Sequence, residues 1–182
     1  MNICIYGAAS NSIDKIHIEA GEQLGRALAK QGCSLVFGGC ANGMMGAVAR
    51  GAAEYGAKII GVAPSFFNVD GVLFEECTMH YTKTMRERKA LIEELSDGFI
   101  ACPGGIGTMD EFFEIVTLRS LNQHNKPIVL LNTGGFYNKL LEMLDEFDRA
   151  GIMRGNINTL VYVTDNPQDA ASYFTKEMAK CE

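Results

Sequence analysis

The sequence of 182 residues is poor in the patterns that hold metal ions. It contains three histidines and six scattered cysteines, and no two cysteines form a C-x-x-C pair. Structural zinc sites need thiolates and imidazoles clustered at short spacings. Most of the cysteines lie in or beside apolar runs, where a thiol behaves as a small hydrophobic group. We therefore expect no metal site.

Positive charge is also scarce. Lysine and arginine number 16 against 22 aspartates and glutamates, which gives a formal net charge of −6. Proteins that bind nucleic acids or anionic membranes usually present a basic surface. The composition therefore argues against both kinds of partner, although local backbone amides can still bind a small anion.

Long apolar runs are missing as well. No stretch approaches the length of a membrane span, and the chain does not open with a basic segment followed by an apolar one. With unpaired cysteines, these features predict a reduced, cytoplasmic protein. The length fits one domain over residues 1–182, with a substantial core.

Short apolar runs alternate with longer amphipathic segments along the chain. The runs are almost entirely apolar, which is typical of strands covered on both faces; they are 2–6, 34–37, 58–63, 98–101, 127–131 and 160–163. Repeated strand–helix units predict an α/β fold. We expect one Rossmann-like domain with a doubly wound, mostly parallel sheet and helices on both faces.

Ligands of such sheets bind outside the carboxyl ends of the strands, and there the sequence is rich in small residues. Gly7 to Ser10, Gly38 to Cys40 and the segment PGGIGTMDE (103–111) follow three of the predicted strands. A glycine-rich turn that leads into a helix exposes backbone amides and the positive end of the helix dipole, a combination suited to phosphate. Residues 64–76 form a long irregular passage of the kind that often carries function.

Two of these motifs also have purely structural interpretations. Thr108 and Glu111 match the S/T-x-x-E capping box, so Glu111 is either a helix cap or an acid that faces a ligand. The glycines of GGCANGMMG (38–46) either allow tight strand–helix packing or let the backbone approach a nucleotide. This segment lacks both the P-loop ending and the G-x-G-x-x-G spacing.

A basic cluster opens the predicted helix TMRERKALIEEL (84–95). Arg86 and Lys89 share a face at i, i+3, whereas Arg88 points elsewhere. The cluster is either a solvated charged face or a source of ligand contacts. In the second case Arg88 would bind phosphate or hold Glu111 ionised.

Taken together, the motifs resemble a known family. The segment 103–111 fits the P-G-G-x-G-T-x-x-E signature of the Lonely Guy family of cytokinin-activating phosphoribohydrolases, which are often mislabelled lysine decarboxylases. MRERK (85–89) resembles the companion M-H-x-R-K motif, and 38–46 resembles G-G-G-x-x-G-L-M-G. The stretch 117–141 is similar to the family's sequence after the signature, and the spacing from Arg88 to Glu111 is the family's own.

This resemblance implies hydrolysis of the N-glycosidic bond of an adenosine-type 5′-monophosphate, AMP or an N6-prenylated AMP, to the free base and ribose 5-phosphate. It implies a homodimer with active sites at the subunit contact, and no metal or organic cofactor. Arg88 and Glu111 are the implied catalytic pair. The implied substrate-binding residues are Gly39, Arg88, Lys89, Gly104, Gly105, Ile106, Gly107, Thr108 and Thr117.

The chain departs from the family pattern at three places. Cys40 replaces the third glycine of the second motif, Arg86 replaces the motif histidine, and the first loop reads Gly-Ala-Ala where the family tends to have Gly-Ser-Ser. The phosphate loop and the acid are intact. These changes therefore bear on substrate preference more than on reaction type.

Two other functions compete with hydrolysis. A pyridoxal-phosphate decarboxylase needs a lysine for its Schiff base, and only Lys89 and Lys126 lie near the motifs. A non-catalytic nucleotide-binding sensor or carrier would keep the glycines. It has no need for Arg88 and Glu111 together, so the pair favours the enzyme.

Overall fold

The structure, a computed structural model, describes residues 1–67 and 72–178. One seven-stranded parallel sheet has the order β4-β3-β2-β1-β5-β6-β7. The strands are β1 (Asn2–Tyr6), β2 (Ser34–Phe37), β3 (Ile59–Pro64), β4 (Thr78–Thr82), β5 (Gly98–Ala101), β6 (Ile128–Leu131) and β7 (Tyr162–Thr164). The predicted parallel α/β architecture is confirmed.

In the described residues, α-helices connect all successive strands except β3 and β4, and they cover the sheet. They are α1 (Lys15–Lys30), α2 (Gly43–Ala53), α3 (Met85–Leu95), α4 (Ile106–Ser120), α5 (Asn138–Arg149), α6 (Ile157–Leu160) and α7 (Pro167–Met178). Two single-turn 3₁₀ helices, Ser65–Phe67 and Thr133–Gly135, follow β3 and β6. In the described residues no helix is both long and apolar enough to cross a membrane.

Alternate residues of the central strands belong to different hydrophobic cores. In β1, Ile3 and Ile5 pack with α1, α2 and α7 on one face, whereas Cys4 and Tyr6 pack with α3, α4 and α5 on the other. Both sets are almost fully buried. Burial on two faces explains why the strand sequences are apolar throughout.

The sequence analysis missed one strand and displaced another. β4 lies at the sheet edge and has no buried residue, so it lacks the apolar run that marks the other strands. The predicted strand 160–163 begins later, at Tyr162, because Leu160 ends the short helix α6. Of the irregular passage 64–76, residues 68–71 lie outside the described residues.

The strand order places a topological switch point between β1 and β5. From β1 the chain builds the sheet outward in one direction through β2, and from β5 it builds in the other. The two loops beyond these strands touch, since the Ala8 amide donates to the Pro103 carbonyl at 3.1 Å. A crevice forms where such loops diverge.

Candidate functional site

A cavity of about 370 Å³ lies at this switch point. Its volume falls in the range of sites for small ligands. It is lined by Gly7, Ala8, Ala9, Gly38, Cys40, Met45, Phe67, Val72, Leu73, Met85, Arg88, Gly105, Gly107, Thr108, Asp110 and Glu111. Much of the wall is apolar, and the charged groups gather on the side formed by α3 and α4.

The start of α3 fixes the direction of Arg88. Thr84 accepts a hydrogen bond from the Glu87 amide at 3.2 Å, and the Glu87 carboxylate accepts one from the Thr84 amide at 3.3 Å. This capping box sets the helical phase. Arg88 is consequently 7% exposed and Arg86 is exposed, which confirms that the two arginines face different ways.

Arg88 and Glu111 form a buried ion pair at the cavity wall. Arg88 Nη1 lies 2.5 Å from Glu111 Oε1, and Arg88 Nε donates to the Val62 carbonyl at 3.0 Å. A Cβ atom on Gly38 would collide with Arg88 Nη2, so only glycine leaves room for the guanidinium. The glycine of the second motif therefore serves the ion pair directly.

Opposing influences act on the Glu111 carboxyl. Burial raises the pKa of Glu111 above its ordinary value of 4.5, whereas the charge and hydrogen bond of Arg88 lower it. Asp110 adds a smaller effect that raises this pKa, and Lys89 one that lowers it. The guanidinium is thus the main group that favours an ionised acid at this position.

The capping interpretation of Glu111 is wrong. Helix α4 begins at Ile106 with Gly105 as its N-cap, so Thr108 already lies inside the first turn. A capping box at Thr108 would need the helix to start three residues later. The carboxylate of Glu111 instead reaches across to Arg88 on α3.

The first turn of α4 presents free backbone amides to the cavity. Among the described residues no side chain caps this helix, and its first backbone bond is donated by Met109 to the Gly105 carbonyl at 3.0 Å. The amides of Ile106, Gly107 and Thr108 precede that bond. Uncapped amides at a helix N-terminus favour an anion.

The three glycines of this loop are present for different reasons. A side chain on Gly104 would collide with the Thr108 hydroxyl, so packing requires that glycine. An added Cβ at Gly105 or Gly107 meets no described atom within 4 Å, and neither residue has a positive φ. Neither packing nor backbone geometry in the described part of the chain accounts for these two glycines.

Several predicted binding residues lie away from the cavity wall. The Lys89 ammonium pairs with Asp110 at 3.1 Å and Glu114 at 2.9 Å, and Lys89 and Thr117 line an adjoining recess. Ile106 is 90% exposed at the tip of the loop. Gly39 adopts a positive φ beside Met79 and Leu73 and packs there, and Gly104 packs on Thr108.

Sequence reasoning missed the apolar part of the wall. Val72 and Leu73 line the cavity. Two backbone hydrogen bonds hold their segment, since the Ala41 amide donates to the Val72 carbonyl at 2.9 Å and the Phe74 amide donates to the Gly39 carbonyl at 2.8 Å. Both belong to the irregular passage that was expected to carry function. The small residues after β1 indicated Ala8 and Ala9. Met45, Met85 and Asp110 lie within the motifs 38–46, 85–89 and 103–111, but the sequence analysis assigned them no role.

The lysines do not suit a Schiff base in this cavity. No lysine belongs to the described lining; Lys89 is held by two carboxylates, and the Lys126 ammonium donates to the Glu93 carbonyl at 2.6 Å. Residues 1–67 and 72–178 also contain no cluster of three or more histidine, cysteine or acidic side chains suited to a metal ion. The donor set fits an anionic, sugar-bearing ligand better than pyridoxal phosphate.

Comparison with known proteins agrees with this geometry. Residues 45–174 match the family model described as "Possible lysine decarboxylase". A cytokinin riboside 5′-monophosphate phosphoribohydrolase of Rhodococcoides fascians is 44% identical over 126 residues, which cover 68% of this chain and 64% of that protein. The chain belongs to the Lonely Guy family. The resemblance found in the segment 103–111 is thereby confirmed.

Other relatives of this Lonely Guy protein extend the match along the chain. A probable phosphoribohydrolase of the same name from rice is 32% identical over 170 residues, covering 92% of this chain and 69% of its own length. Among solved structures, the Moco carrier protein of Chlamydomonas reinhardtii superposes with a TM-score of 0.72 at 26% identity and covers 98% of both chains. The match to the Rhodococcoides protein spans less than two thirds of that relative.

We predict that Arg88→Ala destabilises the protein in a pH-dependent way. Removing the guanidinium leaves a buried carboxylate unpaired, at a cost of about 3–5 kcal/mol near neutral pH. The pKa of folded Glu111 then rises further above 4.5. Because the folded pKa exceeds the unfolded one, stability is retained below about pH 4.5 and is lost as pH rises through the folded value. Urea unfolding across this range measures the effect.

Arg86→Ala is the matched control, since it removes an exposed arginine two positions away on the same helix. Its free energy of unfolding should stay within about 0.5 kcal/mol of the wild type at every pH. A pH-independent loss in Arg88→Ala would show that the ion pair does not set the charge of Glu111.

Proposed function

We propose that this chain is a phosphoribohydrolase that cleaves the N-glycosidic bond of adenosine-type 5′-monophosphates. The products are the free base and ribose 5-phosphate, and AMP and N6-prenylated AMP are the substrates to test. One observation carries the proposal: the buried Arg88–Glu111 pair opens onto the same cavity as the uncapped amides of α4. The named activity of the relatives in Rhodococcoides fascians and rice supports it.

The α4 amides suit the 5′-phosphate of such a nucleotide. Gly105, Gly107 and Thr108 line the cavity, and the space above the two glycines is open. In the proposal, the loop from Gly104 to Thr108, which includes Ile106, holds the phosphate with its backbone. Gly39 lies in the loop after β2 and keeps that loop close to the ligand.

Lys89 and Thr117 are assigned to the edge of the ligand site. They line a recess that joins the cavity through Asp110, which belongs to both. The pairs from Lys89 to Asp110 and Glu114 also tie α3 to α4. In the proposal, Lys89 therefore reaches the edge of the ligand from the adjoining recess, whereas Arg88 lines the cavity itself.

The chemistry requires a negative group beside the sugar. As the bond between C1′ and the base nitrogen breaks, its electron pair leaves with the base, and positive charge develops on the ribose, as in glycoside hydrolysis. Ionised Glu111 stabilises that charge and orients the water that attacks C1′. The water oxygen bonds to C1′ and one of the water protons passes to the leaving base, while Arg88 keeps Glu111 ionised and oriented toward the sugar. This scheme uses no metal or organic cofactor.

We predict that Glu111→Gln lowers kcat on AMP by about 10²–10³, with the fold and most of the nucleotide affinity retained. Glutamine keeps the shape of the side chain and removes its charge. Steady-state release of adenine, together with calorimetric titration of AMP, separates turnover from binding. Asp110→Asn is the control, because it neutralises the adjacent acid, whose side chain is mostly exposed. Equal losses in both variants would remove the special role of Glu111.

We also predict that AMP is hydrolysed at least about a hundredfold faster than adenosine in kcat/KM. Charge-assisted hydrogen bonds contribute roughly 1.5–3 kcal/mol each, and adenosine forfeits at least two of them. Ribose 5-phosphate and inorganic phosphate should compete with AMP. Equal rates on the two substrates would contradict the phosphate role of the loop.

Gly105→Ala and Gly107→Ala sharpen this test. An added methyl group meets no described atom, and alanine at position 107 should stabilise α4 by about 0.5–1 kcal/mol. Both variants should nevertheless lose more activity on AMP than on adenosine. A variant that is more stable than the wild type but less active on AMP would show that the glycine serves ligand binding and not stability.

Binding without catalysis is the second candidate, and the likeness to the Chlamydomonas carrier favours it. A carrier would use the α4 amides and release its ligand unchanged. Incubation with AMP separates the two functions: a carrier binds AMP and yields no adenine. The buried charge pair in the cavity wall supports the enzyme, since binding alone does not require it.

We further propose a homodimer. An apolar groove between α4, α5 and α6 is lined by Phe113, Leu144, Phe147, Met153 and Ile157, among others, and it lies close to the recess that contains Thr117. The second copy is its proposed occupant, as the family resemblance implies.

Light scattering should give twice the 19.8 kDa mass of one chain. Phe147→Asp should give monomers and reduce AMP hydrolysis, whereas Asp145→Ala on the exposed side of α5 should do neither. An active wild-type monomer would refute the dimer proposal.

A further inference from the structure

The turn between β6 and α5 lies behind the phosphate loop and supplies no described lining residue of the cavity. Its last residue, Tyr137, is 3% exposed. The Tyr137 hydroxyl donates to the Cys102 carbonyl at 2.7 Å. The phenol oxygen therefore holds the backbone at the residue that precedes Pro103.

We propose that Tyr137 is a positioning residue that fixes the backbone of the phosphate loop, an inference that rests on the proposed function. The Pro103 carbonyl accepts from the Ala8 amide at 3.1 Å, so the loops after β1 and β5 are joined at the same point. Gly105, two residues after Pro103, is the N-cap of α4. Fixing the backbone at Cys102 sets the direction in which the α4 amides face the cavity.

The turn that carries Tyr137 is itself well held. The Tyr137 amide donates to Asn132 Oδ1 at 2.7 Å, and Asn132 Nδ2 donates to Asn138 Oδ1 at 2.8 Å. Gly134 and Gly135 have φ values of 64° and 73°, which glycine adopts without strain. This explains the sequence NTGGFYN (132–138): its residues build a support for the loop and do not themselves bind the ligand.

The chemistry of the phenol suits this task. Burial raises the pKa of Tyr137 above its usual value, so the hydroxyl keeps its proton and donates at neutral pH. A phenylalanine would fill the same space and keep the edge contact of the ring with Phe136. Tyr137→Phe consequently removes the hydrogen bond to Cys102 and leaves the packing in place.

The matched control is Ser96→Ala. Ser96 is 1% exposed, and its hydroxyl donates to the Ile92 carbonyl at 2.7 Å, at the opposite end of α3 from the cavity. Each variant removes one buried hydroxyl bonded to a backbone carbonyl at the same distance. Any difference between the two variants in activity, ligand affinity or amide exchange therefore reflects where the lost hydrogen bond lies in the fold.

For Tyr137→Phe we expect kcat/KM on AMP to fall about tenfold while the residual rate on adenosine is unchanged. The dissociation constant of ribose 5-phosphate should rise about tenfold by calorimetry, and hydrogen exchange at the amides of residues 104–108 should accelerate. Ser96→Ala should show none of these changes. A general loss of stability would lower both activities together and so would not mimic the selective effect.

Failure of this inference is distinguishable from failure of the proposed function. If the wild type does not cleave AMP, the proposed function fails, but ribose 5-phosphate binding and amide exchange in the two variants still decide the role of Tyr137. If AMP is cleaved and Tyr137→Phe matches Ser96→Ala in affinity, selectivity and exchange, Tyr137 only packs and the inference is overturned.

Discussion

The buried contact between Arg88 and Glu111 is the interaction on which the rest of the site depends. A carboxylate at this depth is costly unless a cation and hydrogen bonds compensate for lost water. The chain meets that demand with several separate features: the capping box that aims α3, the Val62 carbonyl at the end of β3, and the absence of a side chain at Gly38. Each is needed because a misplaced guanidinium would leave the acid unpaired.

The sheet topology brings this pair next to the uncapped amides of α4. The loops after β1 and β5 meet at the switch point, and α4 starts there with its amides uncapped. The cavity therefore combines a positive dipole end with a negative carboxylate, which together suit a phosphorylated sugar. The apolar wall with Val72, Leu73 and Cys40 faces the same space and offers contacts to an aromatic base.

The same fold serves proteins of different function, as the likeness to a cofactor carrier shows. What separates the candidates is the wall of the cavity and not the sheet. A carrier and a hydrolase can both use a glycine-rich loop at a helix N-terminus to bind an anion. A hydrolase needs an acid held ionised beside the sugar, whereas a carrier does not, and this chain places a buried ion pair in the cavity wall.

The sequence by itself determined the parallel α/β fold, the glycine-rich strand ends and the helical phase that separates Arg88 from Arg86. Those features follow from local periodicity and from residue types whose conformational preferences act over a few positions. It could not decide whether Glu111 caps a helix, because the S/T-x-x-E pattern fits a helix starting at either of two places. It also overlooked β4, whose edge position removes the apolar signal, and it did not indicate the ion pairs of Lys89 with Asp110 and Glu114 or the hydrogen bond from Tyr137 to Cys102. Only the tertiary structure decided these, because each depends on a partner distant in sequence, such as Arg88 for Glu111 or Cys102 for Tyr137, and local sequence patterns carry no information about such contacts.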